Sequence, residues 1–338
     1  MTPGVTEVSV VEDLQEWRLD EDVALSFDRT IDRRRVHRSA VSEVFITDVR
    51  ALGDGRVALA AQLPAYHAYF NDHGSTMTVD PLLVMEICRQ AGSATAHELG
   101  VDANVVAIPE DWHLYVAEPA AWPSDEPLID LRIAGEFPFT RVRRGRPRAG
   151  ICRQRVFAGG RQVATLQAKG RFLDHAELEM LRTAQRGTPP PWTSDMLYRP
   201  DPQLAQPHIV GRRDPLNVVL ADLVHGEAEM SARVALPLAN RALFDHPYDH
   251  VTMSVLTEAA RQLIVSVVNA PGHTMRGWHL TRLAGRFSQF VELDAPVTVR
   301  AALPASETGE CEIPVAVEQG GEQIAEIRVI LTRDAEES

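Results

Sequence analysis

Two strings hold the polar residues best suited to chemistry, Glu86-Ile87-Cys88-Arg89-Gln90 and Glu258-Ala259-Ala260-Arg261-Gln262. Both read Glu-x-x-Arg-Gln, roughly half a chain apart, and each closes the same longer pattern. Upstream lie Asp72-His73 and Asp245-His246, and before those Leu63-Pro64 and Leu236-Pro237. Proline to histidine is nine residues in both copies; histidine to glutamate is 13 in the first and 12 in the second. A repeated module that keeps polar groups at matched places suggests a site built where two halves meet. Glu and Arg three apart on a helix share one face. In a buried helix such charges are costly unless paired. Each pair is therefore an architectural lock or working chemistry. A buried glutamate whose pKa rises toward neutrality suits a general base, and a guanidinium can hold phosphate by two parallel hydrogen bonds.

The segment Asp245-His246-Pro247-Tyr248-Asp249-His250 is the denser of the two histidine-bearing stretches. His246 and His250 read in three ways: as substrate or base partners, as loop caps for buried backbone groups, or with Asp249 as metal ligands. No further ligand stands at a matching spacing, so no metal is expected. His73 has plainer surroundings and reads as structural. Cys88 has Ala260 as its counterpart and reads as core packing rather than as a nucleophile. Neither a phosphate-cradling glycine loop nor a Ser-His-Asp order is evident, and no cofactor is expected.

The elements that must position these groups repeat too. Asp80-Pro81 opens a helix, with Asp as N-cap and Pro at the first helical position. Leu82, Leu83, Met85, Ile87, Ala91 and Ala94 make it apolar nearly all round, as in a helix covered by a sheet. Strands are expected over 42–48, 56–63, 112–117, 128–137, 149–157 and 162–172, with a hairpin turn at Gly159-Gly160. The second half repeats this: strands over 217–223 and 230–236, a helix over 252–268, then strands over 279–291, 296–302, 312–318 and 325–332, with Gly320-Gly321 at the matching turn. Residues 1–35 read as an N-terminal arm that lies on the surface or is mobile, 36–176 as the first module, and 212–333 as the second. Between them, 177–211 hold a short helix over 177–186 and a proline-rich, stiff, extended connector. A long helix wrapped by an antiparallel sheet, twice in tandem, is an α+β double hot-dog: side by side, two such units extend the sheet and bury both helices.

The 338 residues carry a formal net charge of −13. That argues against general nucleic-acid binding, which rewards clustered cations. The three cysteines, far apart and odd in number, form no zinc spacing or disulfide framework, as in a reducing cytosol. The first residues do not resemble a signal peptide, and no apolar run is long enough to span a bilayer, so a cytoplasmic protein without membrane partners is expected.

Three strings identify a family resemblance: Val36-His37-Arg38-Ser39-Ala40-Val41-Ser42-Glu43-Val44-Phe45-Ile46-Thr47-Asp48, Asp80 to Ala91, and Leu243-Phe244-Asp245-His246-Pro247-Tyr248-Asp249-His250-Val251 continuing through Glu258-Ala259-Ala260-Arg261-Gln262. They resemble the A-factor biosynthesis family of γ-butyrolactone signal synthases over about residues 36–332. The resemblance implies transfer of a β-ketoacyl group from acyl carrier protein to a hydroxyl of dihydroxyacetone phosphate or a similar phosphorylated acceptor. On that reading Glu258 is the base and Arg261 its positioner or phosphate ligand, with Glu86 contributed across the pseudo-dimer. Arg89, His246, Asp249 and His250 are then substrate-binding. Backbone N–H groups at the start of the second helix would stabilise the tetrahedral oxyanion. The run Arg141-Val142-Arg143-Arg144-Gly145-Arg146-Pro147-Arg148 is either a solvated hairpin tip or a dock for the acidic carrier protein. Two alternatives stand beside transfer: a hot-dog dehydratase acting on a β-hydroxyacyl thioester, and a non-catalytic acyl-binding double hot-dog. Arginine in both strings suits a phosphorylated acceptor better than dehydration. The sequence leaves a homo-oligomer open.

Overall fold

The computed structural model describes residues 19, 22–73, 79–102, 104–123, 128–268, 278–303 and 309–333. The first half runs β1 (Ile46–Gly53), β2 (Arg56–Gln62), α1 (Pro81–Glu98), β3 (Val105–Val116), β4 (Asp130–Glu136), β5 (Phe139–Arg143), β6 (Arg146–Ala158) and β7 (Arg161–Asp174). After α2 (His175–Arg186) the second half runs β8 (Leu220–His225), β9 (Glu229–Val234), α3 (Met253–Val268), β10 (Trp278–Phe287), β11 (Val297–Ala302), β12 (Glu310–Gln319) and β13 (Glu322–Arg333). The strands join one 13-stranded antiparallel sheet in the order β1-β2-β4-β6-β7-β3-β10-β13-β12-β11-β9-β8, with β5 attached to β6. Read inward from either edge, the strand order is the same, which is the duplication seen in the sequence.

Each helix is swallowed by its own half-sheet. α1 packs on β1, β2, β3, β4, β6 and β7, α3 packs on β8, β9, β11, β12 and β13, and the two helices touch. Asp80 caps α1 by accepting from the Leu82 N–H at 2.8 Å, with Pro81 at the first helical position. Val84, Ile87, Cys88, Ala91 and Ala94 of α1 are fully buried, as are Val255, Ala259, Ala260 and Leu263 of α3. The halves are sewn together where β3 pairs with β10, from Asp111↔Arg286 to Tyr115↔Arg282. There Trp112 lies across Gly285, where an added Cβ would stand 2.5 Å from the indole, so the seam needs a glycine. Gly159-Gly160 and Gly320-Gly321 have φ of 53°, 77°, 63° and 85°, the left-handed pairs that close two-residue hairpins.

Several boundaries differ from expectation for physical reasons. The first strand begins at Ile46, because Val41–Glu43 form a 3-10 turn and the Gln90 amide takes the Glu43 carbonyl and the Phe45 N–H. β3 begins at Val105, because Pro109 is accommodated at a bulge opposite Gly170. The connector is a docked strap rather than a spacer. The Thr193 N–H donates to the Tyr248 carbonyl at 2.8 Å, the Tyr248 N–H donates to the Thr193 hydroxyl at 2.9 Å, and the Ala205 N–H donates to the Leu220 carbonyl at 2.8 Å. The described end of the N-terminal arm lies along β1, with the Ile31 N–H on the Ile46 carbonyl at 3.0 Å. Among the described residues no helix is long and apolar enough to cross a membrane.

Candidate active site

The seven candidate residues fall into three clusters. Glu86, Arg89 and His246 meet in the first; Glu258 and Arg261 form the second; Asp249 and His250 belong to the third.

In the first cluster, Glu86 projects from the second turn of α1 and is 3 % exposed. Its carboxylate takes Arg38 Nε at 3.0 Å and Nη2 at 2.7 Å, Arg89 Nε at 2.8 Å and Nη2 at 2.7 Å, and Gln90 Nε2 at 2.7 Å. Burial alone would push this carboxyl up; Arg38 and Arg89 overturn it and hold the group at about 2. The expectation of a glutamate raised toward neutrality is therefore wrong here: two guanidinium groups outweigh desolvation. Arg38 crosses to the other half, where Nη1 reaches Asp245 at 3.4 Å and donates to the Ala242 carbonyl at 3.3 Å. Asp245 accepts from the Ser39 N–H at 2.8 Å and holds His246 Nδ1 at 2.5 Å. Burial opposes ionisation of Asp245, but His246, Arg38 and the Ser39 N–H keep it well below the usual carboxylate range. The His246 ring stacks on Tyr248 with centroids 4.1 Å apart. Burial pushes the Tyr248 phenol up to about 12.

Two groups in this cluster keep open hydrogen-bonding capacity. The His246 side chain is 31 % exposed, and its Nε2 has no partner among the described residues. Arg89 is 27 % exposed in its side chain; its Nε and Nη2 are spent on Glu86 and the Val36 carbonyl, leaving Nη1 open among the described residues. His37 stands beside them, its pKa lowered to about 4 by burial and by Arg89, His97 and His246.

The second cluster has the same plan and is sealed. Glu258 is 0 % exposed. It accepts hydrogen bonds from Arg212 Nε at 2.9 Å, the Tyr69 hydroxyl at 3.2 Å and the Gln262 amide, and is ion-paired with Arg212 Nη2 at 2.8 Å and Arg261 Nη2 at 2.6 Å. Arg261 Nη1 is held by both oxygens of Asp80 at 2.9 Å, and the Arg212 guanidinium lies 4.5 Å over the Tyr69 ring. Asp72 accepts from the Arg213 N–H at 3.2 Å, the Asp214 N–H at 3.0 Å and Asn217 Nδ2 at 2.7 Å. This geometry offers Glu258 to no substrate: two guanidinium groups, a hydroxyl and an amide surround its buried oxygens. Its expected role as base, with Arg261 turned to a phosphate, does not fit.

Asp249 and His250 do not approach Glu258 either. Asp249 binds Arg182 Nε of α2 at 2.9 Å and His250 Nδ1 at 2.6 Å, and Arg182 also binds both oxygens of Glu292 at 2.7 Å. His250 packs edge-on against Phe290. Asp249 clips α2 to the loop ahead of α3, while the His250 side chain is 31 % exposed and, like His246, has no partner on Nε2 among the described residues. The start of α3 is capped by its own Thr252, whose hydroxyl accepts from the Val255 N–H at 3.4 Å. Cys88 is a packed thiol, pushed up by burial.

Arg38 and Arg212 had gone unassigned. They precede Glu86 and Glu258 by 48 and 46 residues, in Val36-His37-Arg38 and Val210-Gly211-Arg212. That matched Val-x-Arg is the signal that could have found them. The structure also shows why the Asp-His pairs repeat: each aspartate accepts backbone N–H groups just after the arginine of the opposite half. The glutamines do structural work, tying each helix to the segment ahead of β1 or β8, as Gln262 does with the Val219 N–H at 3.0 Å and the Asn217 carbonyl at 2.7 Å.

One sheet wrapping two central helices, with mixed polar clusters at the helix fronts, defines a double hot-dog protein. The same fold is seen in a putative oleoyl thioesterase from Lactobacillus plantarum, with TM-score 0.50 and 12% identity, covering 85% of this chain and 100% of that one. The family model described as the AfsA A-factor biosynthesis hotdog domain matches residues 19–174 and 194–332, and the chain belongs to that family. It is 32% identical over 301 residues to a 2-oxo-3-(phosphooxy)propyl 3-oxoalkanoate synthase of Streptomyces virginiae, covering 86% of this chain and 93% of that one. A synthase of the same description from Streptomyces griseus is 27% identical over 299 residues, covering 86% and 91%.

Proposed function

We propose that this protein is an acyltransferase that moves a 3-oxoacyl group from a thioester to the hydroxyl of dihydroxyacetone phosphate, giving a 2-oxo-3-(phosphooxy)propyl 3-oxoalkanoate. Acyl carrier protein is the donor's carrier. The reaction takes place at the Glu86–Arg89–His246 cluster. The observation that carries this assignment is the Asp245–His246 pair of the second half, braced by Arg38 of the first half beside Glu86 and Arg89, with Nε2 open among the described residues.

The chemistry follows from the groups present. Asp245 fixes the imidazole through Nδ1, as a carboxylate does in hydrolytic triads. His246 Nε2 takes the proton of the acceptor hydroxyl as its oxygen attacks the thioester carbonyl. The tetrahedral intermediate collapses, the C–S bond breaks, and the proton returns from His246 to the departing sulfur. Arg89 holds the acceptor phosphate through its open Nη1 edge. Glu86 does not take a proton. It pins Arg89 and Arg38 in place, and Arg38 in turn braces Asp245. Each module contributes half of this site: the arginines and Glu86 from one, the dyad from the other.

The test is incubation with a 3-oxoacyl carrier protein and dihydroxyacetone phosphate, followed by mass spectrometry. The expected product is the phosphorylated ester, formed in step with release of free carrier thiol. Thiol release without ester would mean hydrolysis. No reaction with the 3-oxoacyl donor, and an enoyl product from a 3-hydroxyacyl donor, would mean dehydration.

A further inference from the structure

β5 lies off the path of the sheet, pairing only with β6 from Phe139↔Gly150 to Arg143↔Arg146. Among the described residues of the second half, no strand occupies the matching place on β12. Arg144-Gly145, with φ of 52° and 76°, makes its tip a tight two-residue turn. The hairpin carries the arginine-rich run. Arg141, Arg143, Arg144 and Arg146 are all exposed and have no ion pair among the described residues, while Arg148 is tied to Glu177 of α2. Val142 stands between them, 56% exposed. Four crowded guanidinium groups repel one another, and on a chain of net charge −13 their concentration is a local feature.

The hairpin is firmly mounted. Phe137, Phe139 and Phe172 cluster at its base with centroids 5.5 to 6.2 Å apart. Gly150 admits the Phe137 ring, which would lie 2.5 Å from an added Cβ. The same apolar cluster includes Ala96 and Val101 at the C-terminal end of α1. Seven residues of helix separate Ala96 from Arg89, about 10 Å along the axis. Arg89, Ser93 and His97, at successive i, i+4 positions, are half-buried along one face of α1, and the His37 ring lies 5.4 Å from His97. That face of α1 therefore runs from His97, next to Ala96 at the hairpin base, to Arg89 in the first cluster.

We propose that the β5–β6 hairpin is the docking surface for the acidic face of acyl carrier protein, with the donor's pantetheine arm lying along the Arg89–Ser93–His97 face of α1. The proposal rests on the acyl-transfer reading and adds where the donor binds. Arginines without an ion pair among the described residues, beside an exposed valine, fit an acidic protein surface with an apolar centre. A nucleic acid is disfavoured, because the rest of the chain repels a polyanion.

The test is binding of fluorescently labelled holo-acyl carrier protein to the full chain at low and high salt. The expected result is a Kd that weakens with salt, and a loss of at least about tenfold in affinity in the Arg141→Glu/Arg143→Glu/Arg144→Glu/Arg146→Glu variant. The matching Arg→Lys variant keeps most of the affinity. An unchanged Kd in the Glu variant, no binding by the wild type, or binding of an oligonucleotide in preference to the carrier protein overturns the proposal. In parallel, transfer from a small N-acetylcysteamine 3-oxoacyl thioester, which needs no dock, is expected to be equal in wild type and variant. If the wild type forms ester neither from that donor nor from the 3-oxoacyl carrier protein, the acyl-transfer reading fails, whatever the binding result.

Discussion

Two glutamates in identical sequence patterns each hold two arginines, but only the cluster around Glu86 leaves groups open among the described residues. Glu258 has no exposed surface and is enclosed by Arg212, Arg261, Tyr69 and Gln262, while the cluster around Glu86 leaves His246 and Arg89 half-open. Glu258→Gln should therefore behave as a stability mutant. Removing the anion leaves Arg212 and Arg261 buried and short of charge, at a cost of about 3–5 kcal/mol, readable by urea denaturation. Turnover per folded molecule should be unchanged. His246→Asn should do the opposite: keep the urea midpoint and lower kcat by about 100-fold or more. If Glu258→Gln abolishes turnover in fully folded protein, the assignment of the working cluster is reversed. Glu86 makes a further test through pH. Its folded pKa of about 2 lies below its ordinary value of 4.5, so its ionised form stabilises the fold above pH 4.5. That contribution, on the order of 3 kcal/mol, is lost as pH falls from 4.5 toward 2. Glu86→Gln should be less stable than wild type at pH 7, with the gap closing over that acid range. The sequence exposed the glutamates and arginines of the repeat but not the direction of this shift. The direction depends on Arg38, whose position is legible only once the fold brings it to α1.

At the scale of elements, the features set by local chemistry were legible. The Asp80-Pro81 cap and the paired-glycine hairpins depend on backbone rules that act over a few residues. The features set by distant contacts were not. Nothing within 177–211 reveals that the proline-rich strap folds back on the second module, because Thr193 finds its partner Tyr248 only in three dimensions. The same holds for α2. The buried Arg182 holds α2 to Asp249 and Glu292, and so steadies the loop that carries His246. Arg182→Leu should cost on the order of 3 kcal/mol, since it removes the buried cation shared by Asp249 and Glu292 and leaves Asp249 with His250 and Glu292 with Arg186. It should also raise KM for the acceptor, because Asp245, His246 and Tyr248 share that loop. Thermal unfolding and acceptor titrations of the same preparation would check both. A stability loss with unchanged KM would show that the loop is held without α2.

At the scale of the molecule, the proposed site draws groups from both halves of the duplication. Arg38 and Glu86 come from one half, Asp245 and His246 from the other, and β3 and β10 make the edges that join them. Separated, each half would expose a long unpaired strand edge and one face of a polar cluster made to be buried. A chain divided between 187 and 193, in the stretch outside the family match, should therefore give two halves that aggregate or remain unfolded when expressed singly. Expressed together, they should assemble into a one-to-one complex. That complex should restore ester formation only when the second half carries His246. Size-exclusion chromatography and the transfer assay on the same fractions decide the matter. A first half that is folded, monomeric and active alone would show that the site needs no group from its partner, and that the Asp245–His246 dyad is not the base.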